Sequence, residues 1–294
     1  MPEFHEVYRT PHERSCRERA LVLSSQGIPF QRLDLAGFHV LLVEDALVER
    51  AAEELRRYEE ENRGLGRRAP LPPAAPLAVP ASATFAFVLI AFGLFQWRSA
   101  LGIDWLSVGI ADAGAIRSGA VWRALTALTL HADLAHLASN LVFGLPFGYL
   151  VAHTHGGGLG WLAIAVAGFL GNVTNAWVQP PEHLSLGAST AVFGAIGILC
   201  GSEARRRHLL LEARTRRLAP VGVALIFLAY LGLGEVQPPR SVDVLAHIFG
   251  LAWGLGIGAL LPAAIRRPGV RVQVLCGVGA LLLVAAGWAA ALFL

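Results

Sequence analysis

The stretch Ala246-His247-Ile248-Phe249-Gly250 opens an apolar run that continues through Gly254 and Gly258 to about residue 262, with a histidine near its start. A run of this kind is close to the length needed to cross a bilayer. An ionisable side chain is costly to keep in a membrane-spanning segment, so a functional role is its default reading. A second run opens 58 residues upstream of His247 with Gly187-Ala188-Ser189-Thr190-Ala191, which puts a serine at the corresponding place. An imidazole beside a serine hydroxyl is the arrangement that turns a weak nucleophile into an active one. Taken singly, each residue also has a structural reading: serines in membrane helices bond back to their own backbone, and histidines hydrogen-bond a neighbouring helix.

The rest of the chain reads as one built for lipid. Of its 294 residues 55% are hydrophobic and only 15% charged, with a mean hydropathy of +0.55, whereas ordinary soluble domains carry roughly 25% charged residues. Charge is divided unevenly, residues 1–68 holding thirteen of the 21 acidic groups. The N-terminal portion therefore reads as soluble and the remainder as membrane. Every basic residue is arginine, which with the abundant Ala and Gly points to genome composition, so the net charge of +3 gives no nucleic-acid partner. Cys16, Cys200 and Cys276 show no paired spacing, hence no disulfide framework or zinc motif is expected. The polar N-terminus does not read as a cleavable signal peptide.

Residues 1–63 read as a small soluble α/β domain. A strand at 4–8 precedes a helix at 11–26 stopped by Gly27; strands at 30–35 and 38–43 follow, then a helix capped by Asp45 that runs to about Asn62. The order β-α-β-β-α resembles half of a ferredoxin-like sandwich. No catalytic cluster is visible in it, and regulation, self-association or simple solubilisation stay open as its role. Residues 64–80, rich in Arg, Pro and Ala, read as a linker. Seven apolar runs follow at about 81–97, 134–152, 159–178, 187–203, 218–235, 244–262 and 272–293. With the N-terminal domain cytoplasmic, Arg205, Arg206, Arg207, Arg214, Arg216, Arg217, Arg266, Arg267 and Arg271 fall on the inner side, and only Arg98, Arg117, Arg123 and Arg240 on the outer. This asymmetry obeys the positive-inside rule. The stretch 98–132 is too polar to span and reads as an interfacial or partly embedded loop.

That topology brings the fourth and sixth spans in from the outer side, so Ser189 and His247 lie at like depth near the outer face. The string around Ser189 departs from G-x-S-x-G at its last position, which removes support for a soluble α/β-hydrolase. Gly250, Gly254 and Gly258 form a small-residue stripe on the sixth span, and Ser189, Phe193 and Gly197 form one beside Gly194 on the fourth; such stripes let helices approach closely. In the second span His136 and Asn140 share a face, with His131 just before the helix. The pair reads as side-chain donors to an oxyanion, or else as interhelical hydrogen bonds. A metal site from His131, His136 and His247 competes but lacks an H-E-x-x-H motif or a carboxylate cluster, and no cofactor is expected.

Together, Trp122-Arg123, His131 with His136 and Asn140, Gly187 to Ser189, and Ala246-His247 followed by Gly250 and Gly254 resemble the rhomboid family of intramembrane serine proteases over residues 81–262. The resemblance implies an all-α polytopic membrane protein, a rhomboid-like helical bundle of six core spans at 81–262 plus a loop and seventh span at 263–294, preceded by the small α/β domain. That domain also looks like the cytoplasmic domains preceding some bacterial membrane proteases. Implied too is a Ser-His dyad, with Ser189 as nucleophile and His247 as general base. His136, Asn140 and the Ser189 backbone amide would form the oxyanion site, and Gly187, Phe193, Gly250, Gly254, Trp122 and Arg123 would support it. Phe193 stands where the family often stacks an aromatic on the histidine. Thr190 departs from the family's common glycine and brings bulk and a hydroxyl beside the nucleophile, which bears on substrate fit. Asp243, one turn before His247, is expected to face solvent. The loop Val236–Val242 and the fifth span are candidates for a substrate gate, an ordinary connection being the alternative. Expected partners are transmembrane protein substrates cleaved near the extracytoplasmic face, the lipid bilayer, and a second copy through the N-terminal domain; the expected location is a bacterial inner membrane with a cytoplasmic N-terminus. A catalytically silent rhomboid-like protein that binds transmembrane clients is the alternative, against which retention of both Ser189 and His247 speaks. A transporter fits poorly, since the polar residues gather at the outer ends of the spans.

Overall fold

Two units, Met1–Leu71 and Pro72–Leu294, make up the computed structural model, which describes residues 3–62, 75, 77–210, 214–227, 243–261 and 267–294. In the first unit, β1 (Phe4–Thr10), α1 (Glu13–Ser25), β2 (Gln31–Leu35), β3 (Phe38–Glu44) and α2 (Val48–Asn62) follow one another in the expected order. The sheet runs β1-β3-β2 with both pairings antiparallel, Phe4 opposite Glu44 and Gln31 opposite Leu42, which is the split β-α-β arrangement of a half ferredoxin-like sandwich. Leu41 and Val43, two apart on β3, point to one face and meet Cys16 and Leu23 of α1 and Ala51 and Leu55 of α2. One local expectation fails. Asp45 does not cap the second helix but starts a 3-10 turn, Asp45–Leu47, and its exposed carboxylate lies 3.2 Å from His5 Nε2.

In the second unit α3 (Ala78–Trp97) begins three residues earlier than expected. Pro80 reads as a breaker, yet in the first turn a proline removes an amide that has no helical partner anyway. Short helices α4 (Trp105–Gly109), α5 (Ala113–Arg117) and α6 (Arg123–Thr126) then fill the stretch expected to be a loop, with β4 (Ala111–Asp112) between the first two. Trp105, Thr126, Thr129 and Leu130 of this stretch are buried. Thr126 Oγ1 donates to the Gly109 carbonyl at 2.7 Å, and Arg123 Nη1 donates to those of Ser107 and Ile110 at 3.0 and 3.1 Å. Backbone near membrane depth is thus satisfied by protein.

Helices α7 (Leu134–His155), α8 (Gly157–Val178), α9 (Ser189–Leu209), α10 (Arg214–Phe227), α11 (Val244–Leu260) and α12 (Val270–Phe293) complete the unit, with β5 (Leu184–Ser185) pairing antiparallel with β4. Among the described residues four helices, α3, α7, α8 and α12, are by length and composition able to cross a membrane. Helix α11 has 17 residues and is shorter than the expected span, while α9 ends in a basic turn with Arg206, Arg207 and His208. The remainder of the expected fifth span and the gate candidate at 236–242 lie outside the described residues.

Helices α9 and α11 run parallel and nearly touch. A Cβ placed on Gly254 would lie 2.2 Å from the Gly194 carbonyl oxygen, and one on Gly258 2.2 Å from that of Ile198. Without side chains on this stripe the backbones approach as small-residue helix pairs do. Helix α12 faces outward over most of its surface and is held at two places. Gln273 is buried, its Nε2 donating to the His155 carbonyl and its Oε1 accepting from the Leu159 amide, both at 3.0 Å. Trp288 stacks on Phe92 with centroids 4.9 Å apart and donates from Nε1 to Thr129 Oγ1 at 3.1 Å.

Candidate active site

Ser189 is the first residue of α9 and is reached from β5 through a bend at Gly187 and a turn at Ala188. Gly187 has a φ of +119°, a region that disfavours any side chain, and a Cβ there would sit 2.7 Å from the His136 ring. Its amide donates to the Ala127 carbonyl at 2.9 Å, and the Ala188 amide donates to His131 Nε2 at 3.4 Å. His247 occupies the first turn of α11, and its Nε2 lies 2.8 Å from Ser189 Oγ. For the hydroxyl to donate, the ring proton must reside on Nδ1. The His247 ring is buried and stacks on Phe193, one turn after the serine, with centroids 4.6 Å apart and planes at 27°.

His136 and Asn140 converge on Gly187 from α7, whose start is capped by Asp133 accepting from the His136 amide at 2.8 Å. Asn140 is buried and donates from Nδ2 to the His136 carbonyl at 3.0 Å, using one of its two amide hydrogens. His131 is fully buried, edge to face with His136 at 5.2 Å. Burial, with a smaller contribution from the neighbouring His136, pushes its imidazole down to about 3, so it is neutral and keeps the Nε2 lone pair that holds Ala188. Among the described residues no three His, Cys, Asp or Glu side chains are grouped so as to hold a metal.

Two expectations change. Asp243 does not face solvent: its side chain is 13% exposed, its Oδ1 accepts from the Ala246 amide at 3.1 Å, and its Oδ2 accepts from Asn175 Nδ2 at 2.6 Å and His183 Nε2 at 2.8 Å. Burial alone would raise its carboxyl, but hydrogen bonds from His183, the Ala246 amide and Ser185 outweigh that and hold it below the usual carboxylate value. Thr190 is buried, its methyl carbon set against Gly171 and Gly250, so its bulk is taken up by glycines of α8 and α11 instead of the space beside the serine. Arg123 organises the outer segment by donating to the Ser107 and Ile110 carbonyls, and the Trp122 carbonyl accepts from the Leu125 and Thr126 amides. Gln96 was no candidate, yet it pairs with the backbone of His131 in both directions, at 2.8 and 3.1 Å. Its only signal in the sequence is an amide at the end of an apolar span.

A serine and a histidine facing each other across two parallel helices of an apolar bundle define a class of membrane protein, and the comparisons agree with it. A family profile described as Rhomboid domain matches residues 118–264, half of the chain. The chain belongs to the rhomboid family, and it is a multi-pass integral membrane protein. It is similar to the rhomboid protease GluP of Bacillus subtilis, 30% identical over 156 residues that make up 53% of this chain and 29% of GluP. It also resembles the putative rhomboid protease YdcA of the same organism, 24% identical over 60% of this chain and 82% of YdcA. Rhomboid-like protease 3 of Toxoplasma gondii is 30% identical over 51% of this chain and 55% of its own length. Of GluP and the Toxoplasma protein, then, less than two thirds is spanned.

Proposed function

We propose that the protein is an intramembrane serine endopeptidase that cuts transmembrane segments of membrane proteins near the extracytoplasmic face. The observation that carries this reading is the 2.8 Å contact between His247 Nε2 and Ser189 Oγ, at the first turns of two parallel helices. Ser189 Oγ attacks a substrate carbonyl carbon as His247 Nε2 takes its proton. The developing oxyanion lies against the Ser189 amide, His136 and the free amide hydrogen of Asn140, donors each worth on the order of 10²-fold or more in rate. His247 then passes its proton to the leaving amine, and water attacks the acyl-enzyme with His247 again as base. Asp243, engaged with Asn175 and His183, is not a third member. The names of the similar proteins, which include the word protease, favour this over a catalytically silent client-binding relative.

The same reading puts residues 1–63 in the cytoplasm as a soluble domain able to self-associate, 64–80 as linker, 81–262 as protease core and 263–294 as loop and seventh span, in a bacterial inner membrane. The test is labelling of the purified protein in detergent with a fluorophosphonate probe, alongside cleavage of a model transmembrane substrate. Wild type labels and cleaves; Ser189→Ala and His247→Ala do neither. Labelling that survives Ser189→Ala overturns the nucleophile, and labelling without cleavage of any transmembrane substrate favours the client-binding alternative.

A further inference from the structure

The contact that fixes the start of α11 also reaches across to the peptide that carries the serine. Asp243 precedes the helix, and its Oδ1 accepts the Ala246 amide while its backbone carbonyl accepts the His247 amide at 3.2 Å. Its other carboxylate oxygen receives Asn175 from α8 and His183 from the segment leading into β5. His183 is itself anchored: its carbonyl accepts the Ala113 amide at 3.0 Å, and the next two residues pair with β4. The close backbone contacts of α11 with α9 run from Gly250 onward, whereas the turn that carries His247 meets α9 through side chains, the His247 ring against Ser189 and Phe193. First-turn amides lack helical partners, and a turn without its cap frays.

We propose that Asp243, with His183 and Asn175, is a positioning cluster that ties the peptide bearing Ser189 to the helix turn bearing His247 and sets the distance between them. The inference rests on the dyad reading above. A carboxylate is the acceptor suited to the place, since it takes several donors at once and donates nothing. Its retention of charge despite burial fits that role. Because displacement of reacting groups by about an ångström costs on the order of 100-fold in rate, a clamp remote from the reacting atoms still governs reactivity.

The test uses the full chain in detergent with Asp243→Asn, His183→Ala and His183→Gln. Asparagine still caps the helix but presents a donor to Asn175 and His183, and glutamine keeps a donor at the place of His183 Nε2. We expect Asp243→Asn and His183→Ala to slow fluorophosphonate labelling of Ser189 and to lower kcat on a model transmembrane substrate by on the order of 10- to 100-fold, with KM unchanged. Hydrogen exchange at the amides of residues 244–248 rises in His183→Ala, although that residue is 60 positions away in sequence. His183→Gln restores both. The proposal is overturned if His183→Ala labels at the wild-type rate, or if faster exchange stays confined to residues 180–186. Should wild type itself fail to label, it is the protease reading that falls, and the exchange measurement alone decides whether the clamp exists.

Discussion

Asn140 and His131 both flank the segment leading into Ser189, and they call for different measurements. Asn140→Ala removes one of the proposed oxyanion donors and leaves the dyad contact in place; kcat on a transmembrane substrate is expected to fall by about 10²-fold with little change in KM. His131 is expected to shape the acid limb of stability. Its folded value lies at about 3 against an ordinary 6.5, so the unfolded chain binds the proton more readily. The stabilisation from the neutral ring is whole above pH 6.5 and is lost progressively as pH falls toward 3. The thermal midpoint of wild type in detergent should therefore drop over that window more than that of His131→Gln, which keeps an acceptor for Ala188 but cannot charge. Equal slopes for the two proteins would show that His131 is not the titrating group. Ser189, His247, His136 and Asn140 were legible as candidates because polar side chains stand out in an apolar chain. Asp243 and Gln96 were not, because a polar residue at a helix end reads equally well as facing water, and only the packed neighbours His183, Asn175 and His131 decide otherwise.

At the scale of elements, the α9–α11 contact leaves almost no room for added volume. Gly254→Val must displace backbone, since the first new carbon already overlaps the Gly194 carbonyl, while Gly256→Ala meets nothing within 4 Å. The first substitution should lower stability by about 1–3 kcal/mol or more and slow labelling of Ser189; the second should leave the thermal midpoint near that of wild type. Glycine spacing made this contact readable from the sequence, as periodicity did for the helices themselves. The extent of each helix was less readable, because hydropathy reports what faces lipid, whereas α11 starts at its Asp243 cap and α9 ends in a basic turn. Likewise the stretch 98–132 gave away its burial but not its three short helices, whose ends are set by Asp104 and Asp112 caps and by Arg123.

For the whole molecule, α12 is an outlying strut with two footholds. Gln273→Leu leaves the His155 carbonyl and the Leu159 amide without their partner in a buried place, each costing about 1–3 kcal/mol; the expected result is a lower thermal midpoint with the fluorophosphonate reaction retained. Trp288→Phe keeps the stacking on Phe92 and loses the bond to Thr129, a smaller loss by the same measurement. Because Gln273 and Trp288 grip the core near opposite ends of one helix, about 22 Å apart along its axis, α12 acts as a ruler laid across the bilayer. A helix pinned at both heights can neither piston nor change tilt independently. In a membrane thinner or thicker than this span it is the lipid beside α12 that has to stretch or compress, and the protein carries its own preferred thickness with it.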